Sequence, residues 1–133
     1  MKVLLDTHVW VWWLTANSPL SVRERVALDN CAERRDLYLS AISLWETQVF
    51  HAKGRLELPV SFEDWIRQAA NERMISLVPI TVDVILALNA LPKSFHGDSA
   101  DRVIVASARA YGHSLATHDA TIRRSRAVSI WKS

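Results

Sequence analysis

Four acidic residues stand in this sequence where a carboxylate is costly unless something compensates it. Asp6 follows the apolar run KVLL, and Asp119 follows SLATH. Glu46 interrupts the apolar stretch AISLWETQVF, and Asp101 opens the apolar segment DRVIVASARA. An unpaired charge carried into a protein interior costs a large free energy. If the four side chains converge, the compensation that suits them best is a divalent metal ion.

Taken singly, three of these acids have a simpler structural explanation. Asp6 and Asp119 can each cap the N-terminus of a following helix, and Asp101 can stabilise the first turn of one. Glu46 is the discriminating residue. It lies about six residues past a helix cap at Ser40, too deep for the helix dipole to stabilise it, and its neighbours are apolar.

A fifth acid, Asp98, lies three residues before Asp101. On one helical turn the two side chains share a face, and two carboxylates about 4 Å apart repel by roughly 4 kcal/mol at an effective dielectric near 20. A divalent ion would offset that repulsion. Asp98 can equally remain in the loop and cap the helix that starts at Ser99, and the sequence leaves both interpretations open.

The elements that must position these residues alternate between strand and helix. Strands are predicted at 2–6, 36–40, 75–80, 114–117 and 128–131. Helices are predicted at 7–15, 22–32, 41–52, 62–73, 82–91 and 99–111, with a short basic helix after Asp119. This alternation predicts an α/β fold, a three-layer sandwich with a mainly parallel central sheet, in one domain covering 1–133. Ligands of such sheets gather at the carboxyl ends of the strands, where Asp6 and Asp119 lie.

Size and composition are those of an ordinary globular protein. The chain has 133 residues, half of them hydrophobic, and a formal charge of +2, which is too small to indicate nucleic-acid binding by itself. The single cysteine, Cys31, excludes an internal disulfide and fits a cytoplasmic protein. The apolar start is broken at Asp6 and His8, and VWVWWL is too short to span a bilayer, so no membrane association is expected.

Here the chain resembles the PIN-domain ribonucleases, and specifically the VapC toxins of bacterial type II toxin–antitoxin systems. The resemblance covers almost the whole chain and rests on these strings: LLDTHVWVWWL, SAISLWE, GRLELP, HGDSADRVIVASA, LATHD and VSIW. By position, the four acids match the family's acidic quartet, and Thr117 matches a threonine two residues before the last acid. Related sequences often carry a proline and an aromatic residue where this chain has Ser99 and Ala100.

The resemblance implies a PIN-like fold that hydrolyses RNA phosphodiester bonds with bound Mg²⁺ or Mn²⁺. Such hard cations prefer carboxylate oxygens, which a site rich in acids and poor in histidine offers. Asp6 and Asp101 would hold the principal ion, Glu46 would orient or deprotonate water, and Asp119 would complete the shell. The implied partners are a VapB-like antitoxin and a second copy of the chain.

Further side chains near the acids have functional and structural interpretations side by side. Thr7, Thr117 and His118 could contact substrate or support the acids, although turn and loop roles explain them as well. His96, which also flanks the acids, could touch phosphate. The basic run IRRSR at 122–126 could bind an RNA backbone or simply form a charged helix exterior.

Two other classes of function compete with the nuclease. One is a catalytically silent PIN-like module that binds protein or RNA, against which the retention of all four acids argues. The other is a phosphoryl-transfer protein on a similar sheet, which would want a lysine near a late strand, whereas none lies between Lys93 and Lys132. Neither a P-loop nor GxGxxG is present.

Overall fold

The structure, a computed structural model, describes residues 1–15, 18–95 and 97–133. In these ranges four strands form one sheet: β1 (Val3–Leu5), β2 (Leu37–Ser40), β3 (Ser76–Val78) and β4 (Ser114–Ala116). Their spatial order is β3-β2-β1-β4, and every neighbouring pair is parallel. The chain therefore moves outward from β1 to β3 and then crosses to the other side of β1. This reversal makes a topological switch point between β1 and β4, the place where ligands bind in open α/β sheets.

Helices follow each strand, and polar side chains start most of them. Ser21, Ser40, Ser61 and Thr81 each accept a backbone N–H as N-cap. The helices in the described ranges are α1 (Thr7–Trp13), α2 (Val22–Glu33), α3 (Ala41–Ala52), α4 (Phe62–Ala69), α5 (Val82–Asn89), α6 (Ser99–Tyr111) and α7 (Ala120–Ser125). None of them is long and apolar enough to cross a membrane.

The two faces of the sheet bury separate hydrophobic cores, because side chains alternate along each strand. Val3 and Leu5 of β1 point into a core that includes Trp10 of α1 and Trp65 of α4. Leu4 points to the opposite core, formed mainly with α5, α6 and α7. Helices on both faces of a parallel sheet confirm the predicted α/β three-layer sandwich.

Helix α3 lies apart from this simple layering. It contacts α1 on one side and α6 on the other, at the carboxyl edge of the sheet. The hydroxyls of Thr7 on α1 and Ser43 on α3 form a buried hydrogen bond of 2.8 Å. Glu46 therefore belongs to a helix that leans over the strand ends, as the sequence required if its carboxylate was to approach the others.

Two predicted elements differ from the structure. The helix expected to run to residue 73 ends at Ala69, because the Asn71 side chain accepts the N–H of Arg73 and turns the chain. The strand expected at 128–131 is only a bridge between Ile130 and Leu115. Leu115 of β4 makes both hydrogen bonds of this bridge. It accepts the backbone N–H of Trp131 at 2.9 Å, and its own N–H donates to the carbonyl of Ser129 at 2.8 Å.

Candidate functional site

A cleft of about 350 Å³ opens at the switch point between the carboxyl ends of β1 and β4. Four carboxylates line it together with two histidines and a tryptophan: Asp6, Asp98, Asp101, Asp119, His8, His118 and Trp12. The acids come from four separate places in the chain, since they lie at the end of β1, before α6, within α6 and after β4. The fold thus brings three of the four sequence-predicted acids, and the fifth candidate, to one opening.

Asp6 is buried and held in place through both carboxylate oxygens. Oδ1 accepts the N–H of Val9 at 2.8 Å, which makes Asp6 the N-cap of α1, and Oδ2 accepts a short hydrogen bond from the Thr117 hydroxyl. The capping interpretation and the cleft position are therefore both true of Asp6. Burial raises its pKa, and these two hydrogen bonds oppose the rise because they favour the charged form.

Thr117 links the ends of β1 and β4. Its hydroxyl donates to Asp6 and accepts the backbone N–H of Asp119 at 3.0 Å. Asp119 in turn caps α7 by accepting the N–H of Ile122 at 2.9 Å. One buried hydroxyl thereby fixes the relative positions of two carboxylates that lie 113 residues apart in the sequence.

Of the two interpretations that the sequence left open for Asp98, the structure shows the cap of the helix that starts at Ser99. Its Oδ1 accepts the backbone N–H of Asp101 at 2.8 Å, so Asp98 is the N-cap of α6, and it also lines the cleft. Asp101 is only half-buried, one turn into the same helix.

Glu46 lies on α3, close enough to the cleft for its charge to act on Asp101. It does not line the cleft with the other three acids; it is buried on α3, with only 8% of its surface exposed. Its pKa is raised mainly by burial and further by the charges of Asp98 and Asp6, while the Thr7 hydroxyl opposes the rise. Because α3 packs between α1 and α6, Glu46 approaches the cleft from the side and still lies within electrostatic range of its acids.

The pKa of Asp101 is affected by all the other acids of the cluster. Its pKa is raised to about 7, first by burial and then by the negative charges of four neighbouring carboxylates. Those neighbours are Asp98, Asp119, Glu46 and Asp6. The five acids therefore act on one another electrostatically, and the result is a site where negative charge accumulates.

No lysine or arginine forms an ion pair with these acids in the part of the chain that the structure describes, although the charge of His8 acts to lower the pKa of Asp6 and Glu46. The ion pairs found there join Asp36 to Arg34 and to the N-terminus, and His118 to Glu24. The same residues contain no group of three or more His, Cys, Asp or Glu side chains arranged so that it could hold a metal ion as it stands. The acids share a neighbourhood without closing around a common point.

His118 lines the cleft but is engaged elsewhere. Its Nε2 lies 2.6 Å from Oε2 of Glu24. Its ring centroid lies 5.3 Å from that of Trp12, and the two rings are arranged edge to face. Glu24 lies in the capping box that starts α2. A second partner for its free oxygen could not be read from local spacing.

Two cleft residues had a weak signal in the sequence. His8 and Trp12 are one helical step apart on α1, so they share a face directly after Asp6. Their spacing from Asp6 could have placed them at the strand end. His96 lies outside the described residues.

Chemically, the side chains of the cleft are of the kind that hard divalent cations prefer as ligands. The available donors are carboxylate oxygens, which Mg²⁺ and Mn²⁺ prefer, and the repulsion within the cluster is what a cation would relieve. A phosphate group without a cation would be repelled by the same charges.

Comparison with known proteins agrees with the fold. The PIN domain family model matches residues 3–127. Ribonuclease VapC22 from Mycobacterium tuberculosis is 36% identical to the chain over 132 residues, covering 97% of this chain and 98% of that protein.

Solved structures share the architecture at lower sequence identity. VapBC2 from Rickettsia felis, bound to a DNA fragment from its promoter, superposes with a TM-score of 0.73 at 15% identity, covering 98% of each chain. FitAcB from Neisseria gonorrhoeae gives a TM-score of 0.71 at 21% identity, covering 98% of this chain and 97% of that one. With a family model that spans nearly the whole sequence and a full-length relative of this identity, the chain belongs to the PIN domain family, among the VapC proteins.

Proposed function

We propose that the protein is a metal-dependent endoribonuclease, the toxin of a toxin–antitoxin pair, which hydrolyses RNA phosphodiester bonds with Mg²⁺ or Mn²⁺. The observation that carries this proposal is the cleft at the switch point, where Asp6, Asp98, Asp101 and Asp119 line one opening and none of them forms an ion pair within the described residues. Ribonuclease VapC22, at 36% identity, supports the choice of RNA as substrate.

In this proposal Asp6 and Asp101 hold the principal ion, and Asp119 and Asp98 complete its surroundings. Glu46, buried beside the cleft, orients or accepts a proton from the attacking water. Bound Mg²⁺ or Mn²⁺ would supply a more acidic water and neutralise charge that develops on the phosphate.

The direct test is cleavage of RNA by the purified chain with Mn²⁺ and with excess chelator. We expect cleavage with Mn²⁺ and its loss on chelation, restored by added Mn²⁺. The products should be resolved by length, so that internal cleavage is distinguished from trimming at the ends. Cleavage that is unaffected by chelation would contradict the metal-dependent mechanism.

Thr117→Val should weaken metal binding more than it weakens folding. The substitution keeps the side-chain shape but removes the hydroxyl that donates to Asp6 and accepts from Asp119. Loss of such a supporting hydrogen bond typically costs about 10- to 100-fold in metal affinity. The Mn²⁺ concentration giving half-maximal cleavage should therefore rise by about that factor.

Thr47→Val is the matched control for this change. Thr47 is equally buried, but its hydroxyl donates only to the carbonyls of Ser43 and Leu44 in its own helix. Equal shifts in Mn²⁺ requirement for both variants would assign the effect to general destabilisation and remove Thr117 from the site.

For the antitoxin, we propose an apolar cavity of about 620 Å³ at the end of α1 and along α4. Leu14, Val60, Trp65 and Met74 contribute apolar walls, which suit the apolar side chains of a bound peptide. The neighbouring VapBC2 and FitAcB structures support a VapB-like partner. The corresponding observation is a co-purified complex whose tryptophan fluorescence differs from that of the free chain.

For the second copy, we propose the exposed face of α5 and β3. Val82 and Leu86 have 75% and 61% of their surface exposed, and Ile85, Ile80 and Leu77 extend the same apolar area. Contiguous exposed apolar surface commonly marks a protein interface. Light scattering should give the mass of a dimer for the purified chain and the mass of a monomer for Leu86→Glu.

A further inference from the structure

Two further cavities adjoin the acidic cleft along the outer side of β4. The first, of about 350 Å³, shares His118 with the cleft, because that residue lines both. The second, of about 850 Å³, shares Arg123 and Lys132 with the first. The shared residues place the three cavities side by side, from the cleft, past the end of β4, to the start of β4 at Ser114.

The two further cavities are lined by basic side chains. Arg23, Arg123 and Lys132 line the nearer cavity, and Arg109 and Arg126 extend the series into the farther one. All five are exposed, and none forms an ion pair within the described part of the chain. We name these five residues the basic track.

Acidic groups do not cancel this charge. No Asp or Glu lines the farther cavity, and Glu24, which lines the nearer one, already accepts the N–H of Ser21 and holds His118. The track therefore contrasts with the cleft that it adjoins, where the described carboxylates lack basic partners.

Two of the guanidinium groups are held by the backbone. Arg109 donates to the carbonyl of Ala127 at 3.1 Å, and Arg123 donates to the carbonyl of Thr117 at 3.1 Å. Each bond uses one of the five N–H donors of a guanidinium and leaves others for a second partner. Anchoring reduces the side-chain entropy that binding an anion would otherwise cost.

We propose that the basic track binds the backbone of a single-stranded RNA and delivers it into the acidic cleft. The inference rests on the proposed nuclease function and adds the route of the substrate. Without a bound cation the cleft repels phosphate, and a cation there would attract only the phosphate next to it, so the attraction that holds the rest of a polyanion must come from outside the cleft. A polymer that follows the track has to turn from the sheet edge into the cleft, and a flexible single strand does so more cheaply than a stiff duplex.

The test measures RNA affinity by fluorescence anisotropy in the Asp101→Asn background, so that the probe is not consumed. The probes are labelled single-stranded RNAs of about 4 and about 16 nucleotides and a duplex DNA of the longer length. The track variant is Arg109→Gln with Arg126→Gln. The matched control is Arg73→Gln with Arg124→Gln, which removes equal charge at exposed residues that line neither cavity.

We expect the track variant to lose at least about 10-fold in affinity for the longer RNA at low salt, with little change for the shorter one. Loss of two phosphate contacts should also reduce the slope of log affinity against log salt by about 1.4. Equal losses in the track and control variants would overturn the proposal, since the effect would then be one of total charge. Tighter binding of duplex DNA than of RNA would overturn it as well.

The two proposals fail separately. If the unmodified chain cleaves RNA with Mn²⁺ but the RNA affinity does not change when Arg109 and Arg126 are replaced, the track is wrong and the nuclease stands. If binding depends on these arginines as expected but no RNA is ever cleaved, the track stands and the nuclease is wrong.

Discussion

Asp101→Asn is expected to lower Mn²⁺-dependent RNA cleavage by at least about 100-fold while leaving the chain folded. The substitution removes one charge from the proposed ion site but keeps the side-chain size and the backbone N–H that Asp98 accepts. A catalytic metal contributes several kcal/mol of transition-state stabilisation, and each 1.36 kcal/mol is worth tenfold in rate. Partial loss of that contribution already gives the expected factor.

Asp83→Asn is the matched control, because Asp83 also lies in the first turn of a helix after a capping residue but is exposed on α5. Initial rates should be measured across Mn²⁺ concentrations, so that weaker ion binding is separated from slower chemistry. If Asp101→Asn cleaves as fast as Asp83→Asn at saturating Mn²⁺, Asp101 is not part of the catalytic centre.

The metal-free protein is expected to become more stable when the pH falls from about 7.5 to about 5.5. The pKa of Asp101 is raised to about 7 in the folded chain from an ordinary value of 3.8. Between these values the folded state binds more protons than the unfolded state, so its stability falls as the pH rises. Since Asp101 is half-exposed, the free energy of unfolding should change by about 1–2 kcal/mol, well below the full shift.

Chemical denaturation with chelator present measures this change, and Asp101→Asn isolates it. The variant lacks the titrating carboxyl, so its pH dependence should be flatter and its stability at neutral pH higher than that of the unmodified chain. Mn²⁺ at about 100 times its dissociation constant should add about 2.7 kcal/mol at neutral pH, and less at acidic pH where protons compete. If Asp101→Asn is less stable than the unmodified chain at neutral pH with chelator present, repulsion between Asp101 and the neighbouring carboxylates does not destabilise the folded chain, and the prediction is wrong.

Local patterns predicted most elements of the fold. Hydrophobic runs located β1, β2, β3 and β4, and the hydroxyl cap at Ser40 located the start of α3 because its hydrogen bond is short-range. Helix ends were harder. The end of α4 depends on Asn71, whose side chain offers the backbone an alternative hydrogen bond that periodicity does not reveal.

The site was predictable in its residue types and less so in its geometry. Asp6 and Asp119 follow strands, so sheet topology alone brings them to one edge. The position of Glu46 depends on how α3 packs between α1 and α6, which is a tertiary property, and it lies beside the cleft instead of on its wall. The pairing of His118 with Glu24 likewise joins residues 94 positions apart and leaves no local signal.

The strand order of the sheet also determines when the acids can first meet during synthesis. β4 pairs with β1, so Asp119 can approach Asp6 only after the residues between the two strands have been made. A ribosome-bound fragment that stops before Thr117 has no hydroxyl to join the two strand ends. In such a fragment Asp6 would lack the carboxylate that lies opposite it, so the acidic cleft would be complete only once β4 had joined the sheet.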